Sequence, residues 1–208
     1  MNSNLAFTIR YSVSKIREFK IDDVKLKIKI RESEIQKKGY SIFYVDGKNF
    51  TSIAEEFAPC IEIIWNMVPR FDSTKKDEEF PTERVLGRID FFHEHDGELY
   101  TVFARAQDNS IIGFSELLLY KSNPKTAFQM LTGVIPDHRG NGLGYLLKLK
   151  LLEFLIKNSE AEFWFTGNAY GNEHMLKINQ LLKYEDWVEH ESWEVNRQNW
   201  EKYLEINS

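Results

Sequence analysis

Alternate glycines in front of an apolar run are the part of this sequence best equipped for chemistry. The segment Thr132-Gly-Val-Ile-Pro-Asp-His-Arg-Gly-Asn-Gly-Leu-Gly144 leads into Tyr145, Leu146 and Leu147, so a strand, a glycine loop and a helix are expected in succession. Glycine lets the backbone come close to an anion, and the first turn of a helix aims unpaired N–H groups and a partial positive charge at it. A phosphate would fit there, held by Arg139, Gly140, Asn141, Gly142, Leu143, Gly144 and Tyr145. The plainer reading is a loop that only turns the chain. Two nucleotide motifs fail on spacing. A dinucleotide fingerprint needs glycine at the sixth position counted from Gly140, which is Tyr145, and the Gly-Lys-Ser/Thr of a P-loop is missing.

Arg139, Gly142 and Gly144 do satisfy Arg/Gln-x-x-Gly-x-Gly, and here the chain resembles the GNAT superfamily of acyl-CoA-dependent N-acyltransferases. The resemblance continues through Thr166-Gly-Asn-Ala-Tyr-Gly-Asn172 and Met175 to Tyr184, like the family's next strand and helix. It covers about residues 50–195 and does not reach the first forty or so; in texture it is nearest to bacterial antibiotic-type acetyltransferase-like members with His-Arg-Gly in the loop. The resemblance implies that the loop amides bind the pyrophosphate of coenzyme A, and that pantetheine runs beside the preceding strand. It also implies a backbone oxyanion donor near Gly133 and Val134. Asn172 falls on a pantetheine contact, and an N-cap for the following helix is an equal reading. Asn179 stands where many members carry a tyrosine that protonates the departing thiolate. An amide can only hold the sulfur by a hydrogen bond or pack locally. Lys183 replaces the family's usual glycine, so that turn is expected to be built differently.

Acyl transfer to an amine needs a neutral nucleophile in line with a thioester, a donor for the developing oxyanion, and a place for one proton. The strand Ala127–Ile135 offers no carboxylate. Glu116 on the neighbouring strand is the proposed base, with a surface glutamate as the competing reading, and His138 is a further candidate. The acidic connector with Asp72, Asp77, Glu78 and Glu79 could draw in a cationic acceptor or be a plain solvated loop.

These residues need elements to position them. The first fifty residues read as strands with a short helix: Leu5–Val13 and Tyr40–Val45 are strands, and so is Val24–Arg31, where Val, Leu, Ile and Ile alternate with Lys25, Lys27, Lys29 and Arg31 as a solvated face. Asp46-Gly47 supplies a turn. Apolar residues every three or four positions predict helices over Ser52–Val68 and about Pro81–Asp96, the second capped by Thr82. Strands are then expected at Leu99–Ala106, Ile111–Tyr120, Ala127–Ile135, Glu162–Gly167 and Trp187–Val195, with helices at Gly142–Lys157 and Glu173–Leu182. Asp108-Asn109 is the hairpin between the first two of these strands. The expected fold is α/β: a GNAT fold, with a central mixed and mostly antiparallel twisted sheet flanked by helices. Residues 1–48 are expected as a strand-rich extension packed on an acyltransferase domain at 49–208.

A formal charge of -5 argues against a general nucleic-acid binder and suits a cationic amine. One cysteine, Cys60, rules out an intrachain disulfide and reads as a small buried hydrophobe rather than a nucleophile. Signal-peptide and membrane-span patterns are missing, so a cytoplasmic protein is expected, with no membrane or nucleic-acid partner. The activity expected is acetyl transfer from acetyl-CoA to the primary amine of a small molecule, without a metal, by a monomer or homodimer. A protein N-acetyltransferase and a non-catalytic acyl-CoA-binding regulatory module are the alternatives.

Overall fold

The computed structural model describes residues 3–69, 74–169, 171–195 and 200–201. Its elements run β1 (Ser3–Lys15), α1 (Ile21–Gln36), β2 (Ser41–Asp46), α2 (Ala54–Asn66), α3 (Thr82–Glu94), β3 (Gly97–Arg105), β4 (Ile111–Tyr120), β5 (Asn123–Val134), α4 (Leu143–Asn158), β6 (Phe163–Ala169), α5 (Glu173–Leu181) and β7 (Glu185–Val195). The strands form one seven-stranded sheet in the order β2-β3-β4-β5-β6-β1-β7. Every neighbouring pair is antiparallel except β5 and β6. The α/β fold with a mixed, mostly antiparallel sheet is therefore as expected. Residues 1–48, expected as an extension, contribute β2 at one edge and β1 between β6 and β7.

One apolar core joins α1, α4 and α5 to one face of the sheet, and a second joins α2 and α3 to the other. In the first, α4 buries Leu143, Leu146, Leu147, Leu149, Leu151, Leu152 and Leu155. A helix apolar on nearly all sides must be enclosed, and its ends are then fixed in space.

Three local expectations are corrected. Residues 24–31 lie within α1 instead of forming a strand. Val24, Ile28 and Ile35 share its buried face, while Leu26 and Ile30, the other half of the alternation, stand 59% and 51% exposed. Packing against α4 selected the helical period over the two-residue one, and Lys150 of α4 clamps Glu32 at 2.9 Å. Thr82 does not cap α3: Pro81 holds the cap position and Thr82 is the first helical residue. Lys183 does not alter the turn after α5. It takes φ 54, the left-handed conformation glycine prefers. The Tyr184 N–H bonds to Asn179 O and the Lys183 N–H to Gln180 O, both at 3.0 Å, closing the helix as a Schellman turn. Lys183 Nζ also donates to Glu18 O at 3.0 Å, which ties the turn to the chain before α1.

Candidate active site

β5 and β6 pair only over Thr126–Phe128 and Phe163–Phe165, and β5 then runs on to Val134 paired with β4 alone. The two parallel strands part toward their C-terminal ends, where α/β sheets present ligand crevices. A register shift between β4 and β5, across Ser115–Leu117 and Thr132–Gln129, bends β5 at the opening. The resulting cleft of about 730 Å³ is lined by Thr132, Gly133 and Val134, the loop His138–Tyr145, the end of α2, and Asn172, His174, Met175 and Ile178. That volume is ordinary for a small-molecule site.

The loop is shaped by two left-handed glycines, Gly140 at φ +75 and Gly142 at φ +77. Gly142 occupies the cap position of α4 and provides no side-chain hydrogen bond. The first helical bond runs from the Leu146 N–H to Gly142 O at 3.1 Å, so the amides of Leu143, Gly144 and Tyr145 in the first turn have no acceptor within the helix. Such donors require a partner, and an anion in the cleft meets that requirement. Space allows it, since a Cβ placed on Gly140 would touch nothing within 4 Å.

Arg139 serves the loop differently from the expectation that it meets the phosphate. Its Nε donates to Val134 O at 2.9 Å and its Nη2 reaches Met67 Sδ at 3.4 Å, so it staples the loop to β5 and α2. Asn141 braces the same loop by donating to His138 O at 3.0 Å. Tyr40 Oη lies 3.1 Å from His138 Nδ1. Gly133 and Val134 separate by strand alternation. The Ile135 N–H bonds to Ile112 O on β4, so the Gly133 amide faces β4 as well and the Val134 amide faces the cleft. Gly133 matters sterically: an added Cβ would lie 2.3 Å from Ile64 Cγ2, so α2 packs directly on this backbone. Asn172 fulfils the capping reading, accepting from the Met175 N–H at 3.3 Å, and also lines the cleft.

Of the residues expected to act on the substrate, His138 lines this cleft, but Glu116 and Asn179 do not. Glu116 is fully buried and paired with Arg88 of α3, from Nη1 at 2.9 Å and from Nη2 by a second, shorter bond. Burial disfavours the charged guanidinium, but Glu116 outweighs it and raises the Arg88 pKa. With both carboxylate oxygens taken by the arginine and no face on the cleft, Glu116 is not placed to receive a proton from a substrate there. Asn179 points away from the cleft because Lys148, fully buried on α4, donates from Nζ to its Oδ1 at 2.6 Å. Lys148 Nζ also lies 4.9 Å from the centre of the Tyr184 ring and 5.6 Å from that of Trp164. Burial lowers its pKa to about 7. Burial likewise drives the Tyr184 hydroxyl well up and the Cys60 thiol to about 12, so neither supplies an anion at neutral pH.

The acidic connector divides. Glu78 accepts from Trp65 Nε1 at 3.1 Å and from Arg84, which makes it a brace rather than a lure; Asp77 and Glu79 are exposed. Asp72, and Tyr170 of the glycine segment before α5, lie outside the described residues. Sequence reasoning missed Ile64, Met67, His174, Met175 and Ile178, which reach the cleft from α2 and α5. It also missed Arg31, Lys38 and Tyr40, which reach the loop from the N-terminal segment. Lys148 had a partial signal: it and Lys150 are the two charges amid Leu146, Leu147, Leu149, Leu151 and Leu152, and only Lys148 is fully buried. Among the described residues no helix is long and apolar enough to cross a membrane.

The sequence model of the acetyltransferase (GNAT) family matches residues 57–200. The chain belongs to that family. Among solved structures it is similar to a tandem GNAT protein from the clavulanic acid biosynthesis pathway, at TM-score 0.67 and 17% identity over 93% of this chain and 55% of that one. It is also similar to a GCN5-related N-acetyltransferase from Sphaerobacter thermophilus, at TM-score 0.57 and 10% identity over 92% of this chain and 51% of the other. The chain thus spans about half the length of each of these two structures, and at such identities the likeness is one of fold. No curated protein matches the sequence.

Proposed function

We propose that this chain transfers an acetyl group from acetyl-CoA to the primary amine of a small molecule, by direct attack in a ternary complex. One observation carries the reading: an uncapped helix start behind two left-handed glycines, at the mouth of two strands that part. The residues present fit coenzyme A. Leu143, Gly144 and Tyr145 offer amides to its pyrophosphate, and the open edge of β5 offers peptide groups to its pantetheine. When bound, it supplies the activated acyl thioester.

The chain's own part is to hold and polarise. The Val134 amide, facing the cleft, is placed to meet negative charge developing on the acyl oxygen. Ile64, packed on Gly133, shields that wall from water. His138 and His174 line the cleft, and an imidazole can act as general base, so one of them takes the proton of the amine. Glu116 and Asn179 act at one remove: Glu116 orients α3 through Arg88, and Asn179 fixes α5 against α4 through Lys148. Exposed Asp77 and Glu79 favour a cationic acceptor.

The binding of Glu116 by Arg88 favours a second reading, an acyl-CoA-binding module without turnover. Calorimetry with acetyl-CoA, followed by thiol release against small amines, polyamines and lysine or N-terminal peptides, separates the readings. Release with small amines alone supports the proposal, and release with peptides alone makes this a protein acetyltransferase. Binding without release identifies the module. A folded chain that does not bind coenzyme A overturns both readings.

A further inference from the structure

The correction of residues 24–31 from strand to helix changes what surrounds the loop. As a strand, Arg31 would belong to a solvated lysine face. As part of α1, packed along α4, it is carried to the glycine loop. Its Nη1 lies 4.0 Å from the point a Gly142 Cβ would occupy. Two residues beyond the end of α1, Lys38 Nζ donates to Asn141 Oδ1 at 2.9 Å. Two cations from the N-terminal segment therefore stand over two successive residues of the loop, in a chain whose formal charge is -5.

Both are held by exchangeable partners. Arg31 Nη1 donates to Glu34 Oε2 at 2.7 Å, one turn on along α1, with both side chains about half exposed. A solvated pair of this kind contributes little to stability and yields readily to a stronger anion. The guanidinium is thus positioned before a ligand arrives.

Resting on the coenzyme A reading above, we propose that Arg31 and Lys38 form a subsite for the 3′-phosphate of coenzyme A, distinct from the pyrophosphate cradle. Charge separates the two phosphate types. Each phosphorus of the pyrophosphate has one ester and one anhydride oxygen and bears one negative charge, and is suited to backbone amides and a helix start. The 3′-phosphate is a monoester carrying about -1.5 to -2 at neutral pH, with three strong acceptor oxygens. A dianion calls for full cations, and arginine's fork meets its oxygens two at a time. The loop lacks such a cation of its own, since Arg139 is turned back onto Val134 and Met67.

The test compares acetyl-CoA with 3′-dephospho-acetyl-CoA by calorimetry, in the wild-type chain and in Arg31→Gln, Lys38→Gln and Lys25→Gln. Lys25 is exposed near the start of α1 and controls for net charge alone. The wild type should bind acetyl-CoA about 10-fold more tightly than the dephospho form, the scale of one charge-assisted hydrogen bond. Arg31→Gln should weaken acetyl-CoA by a similar factor, leave the dephospho form unchanged and erase the preference. Lys38→Gln should do the same more weakly, and Lys25→Gln should retain the preference. Equal losses on both ligands would assign Arg31 to the pyrophosphate and overturn the subsite. Wild-type affinity in the Arg31 and Lys38 variants, or a wild type without preference, overturns it while leaving the coenzyme A reading intact. Failure of the wild type to bind either ligand overturns that reading and this one together.

Discussion

The first and second turns of α4 handle polar groups in opposite ways. In the first turn, Leu143, Gly144 and Tyr145 leave amides without a helical acceptor where the cleft can supply an anion. In the second turn Lys148 is fully buried, beside Asn179, Tyr184 and Trp164. Behind the loop, Asn168 Nδ2, Asn179 Nδ2, Trp164 Nε1 and Tyr184 Oη are buried without a hydrogen-bond partner. Open donors at a cleft are a binding asset because a ligand completes them. Enclosed donors only lower stability, by roughly 1–3 kcal/mol each. Coenzyme A affinity should therefore depend on the loop, and folding stability on the buried polar groups, including Arg88 and Glu116 across the sheet.

The sharpest separation comes from Glu116. Glu116→Gln leaves the Arg88 charge largely buried without its counter-ion and should cost ~3 kcal/mol of unfolding free energy. Chemical denaturation measures this, and coenzyme A affinity of the folded fraction should stay within a factor of two or so of wild type. A large loss of affinity with unchanged stability would place Glu116 in the site after all.

Gly142→Asp should do the reverse. It puts a like charge and a Cβ at a φ of +77, where the anion belongs, and should weaken coenzyme A binding by ~10²-fold or more with the fold retained. Undiminished affinity would dissolve the contrast between the two turns.

Lys148 tests the buried side through pH. Its pKa falls from 10.5 to about 7 on folding, so between those values the unfolded chain holds the extra proton and stability rises with pH. Below about 7 both states are protonated and the contribution is flat at its least favourable. Lys148→Met should raise stability by ~1–2 kcal/mol at pH 6.5, less than full relief because Asn179 Oδ1 loses its donor. The gain should shrink toward pH 10. Urea midpoints at both pH values decide it, and a gain independent of pH would mean that Lys148 does not carry the shift.

The smallest effect belongs to the turn after α5. Lys183→Gly relieves a left-handed lysine but loosens the unfolded chain and deletes the bond to Glu18. A net gain of ~0.5 kcal/mol is expected. A loss above that size would show that the tether outweighs the strain.

The sequence alone determined what depends on neighbouring residues. Arg139 through Gly144 announced a strand, an anion loop and a helix start, because glycine conformations and helix-end amides are local properties. For the same reason the succession of elements from residue 50 onward was legible to within a few residues, and Asn172 could be read as a cap. Tertiary structure alone decided which side chains share a space. It chose a helix over an equally alternating strand at Val24–Arg31, since burial against α4 needs a face every three or four residues. It brought Arg31 and Lys38 to the loop from more than a hundred residues away, turned Arg139 inward, and withdrew Glu116 and Asn179 by pairing them with Arg88 and Lys148. A charge's role is set by its nearest opposite charge and by its access to water, and neither is a property of position along the chain.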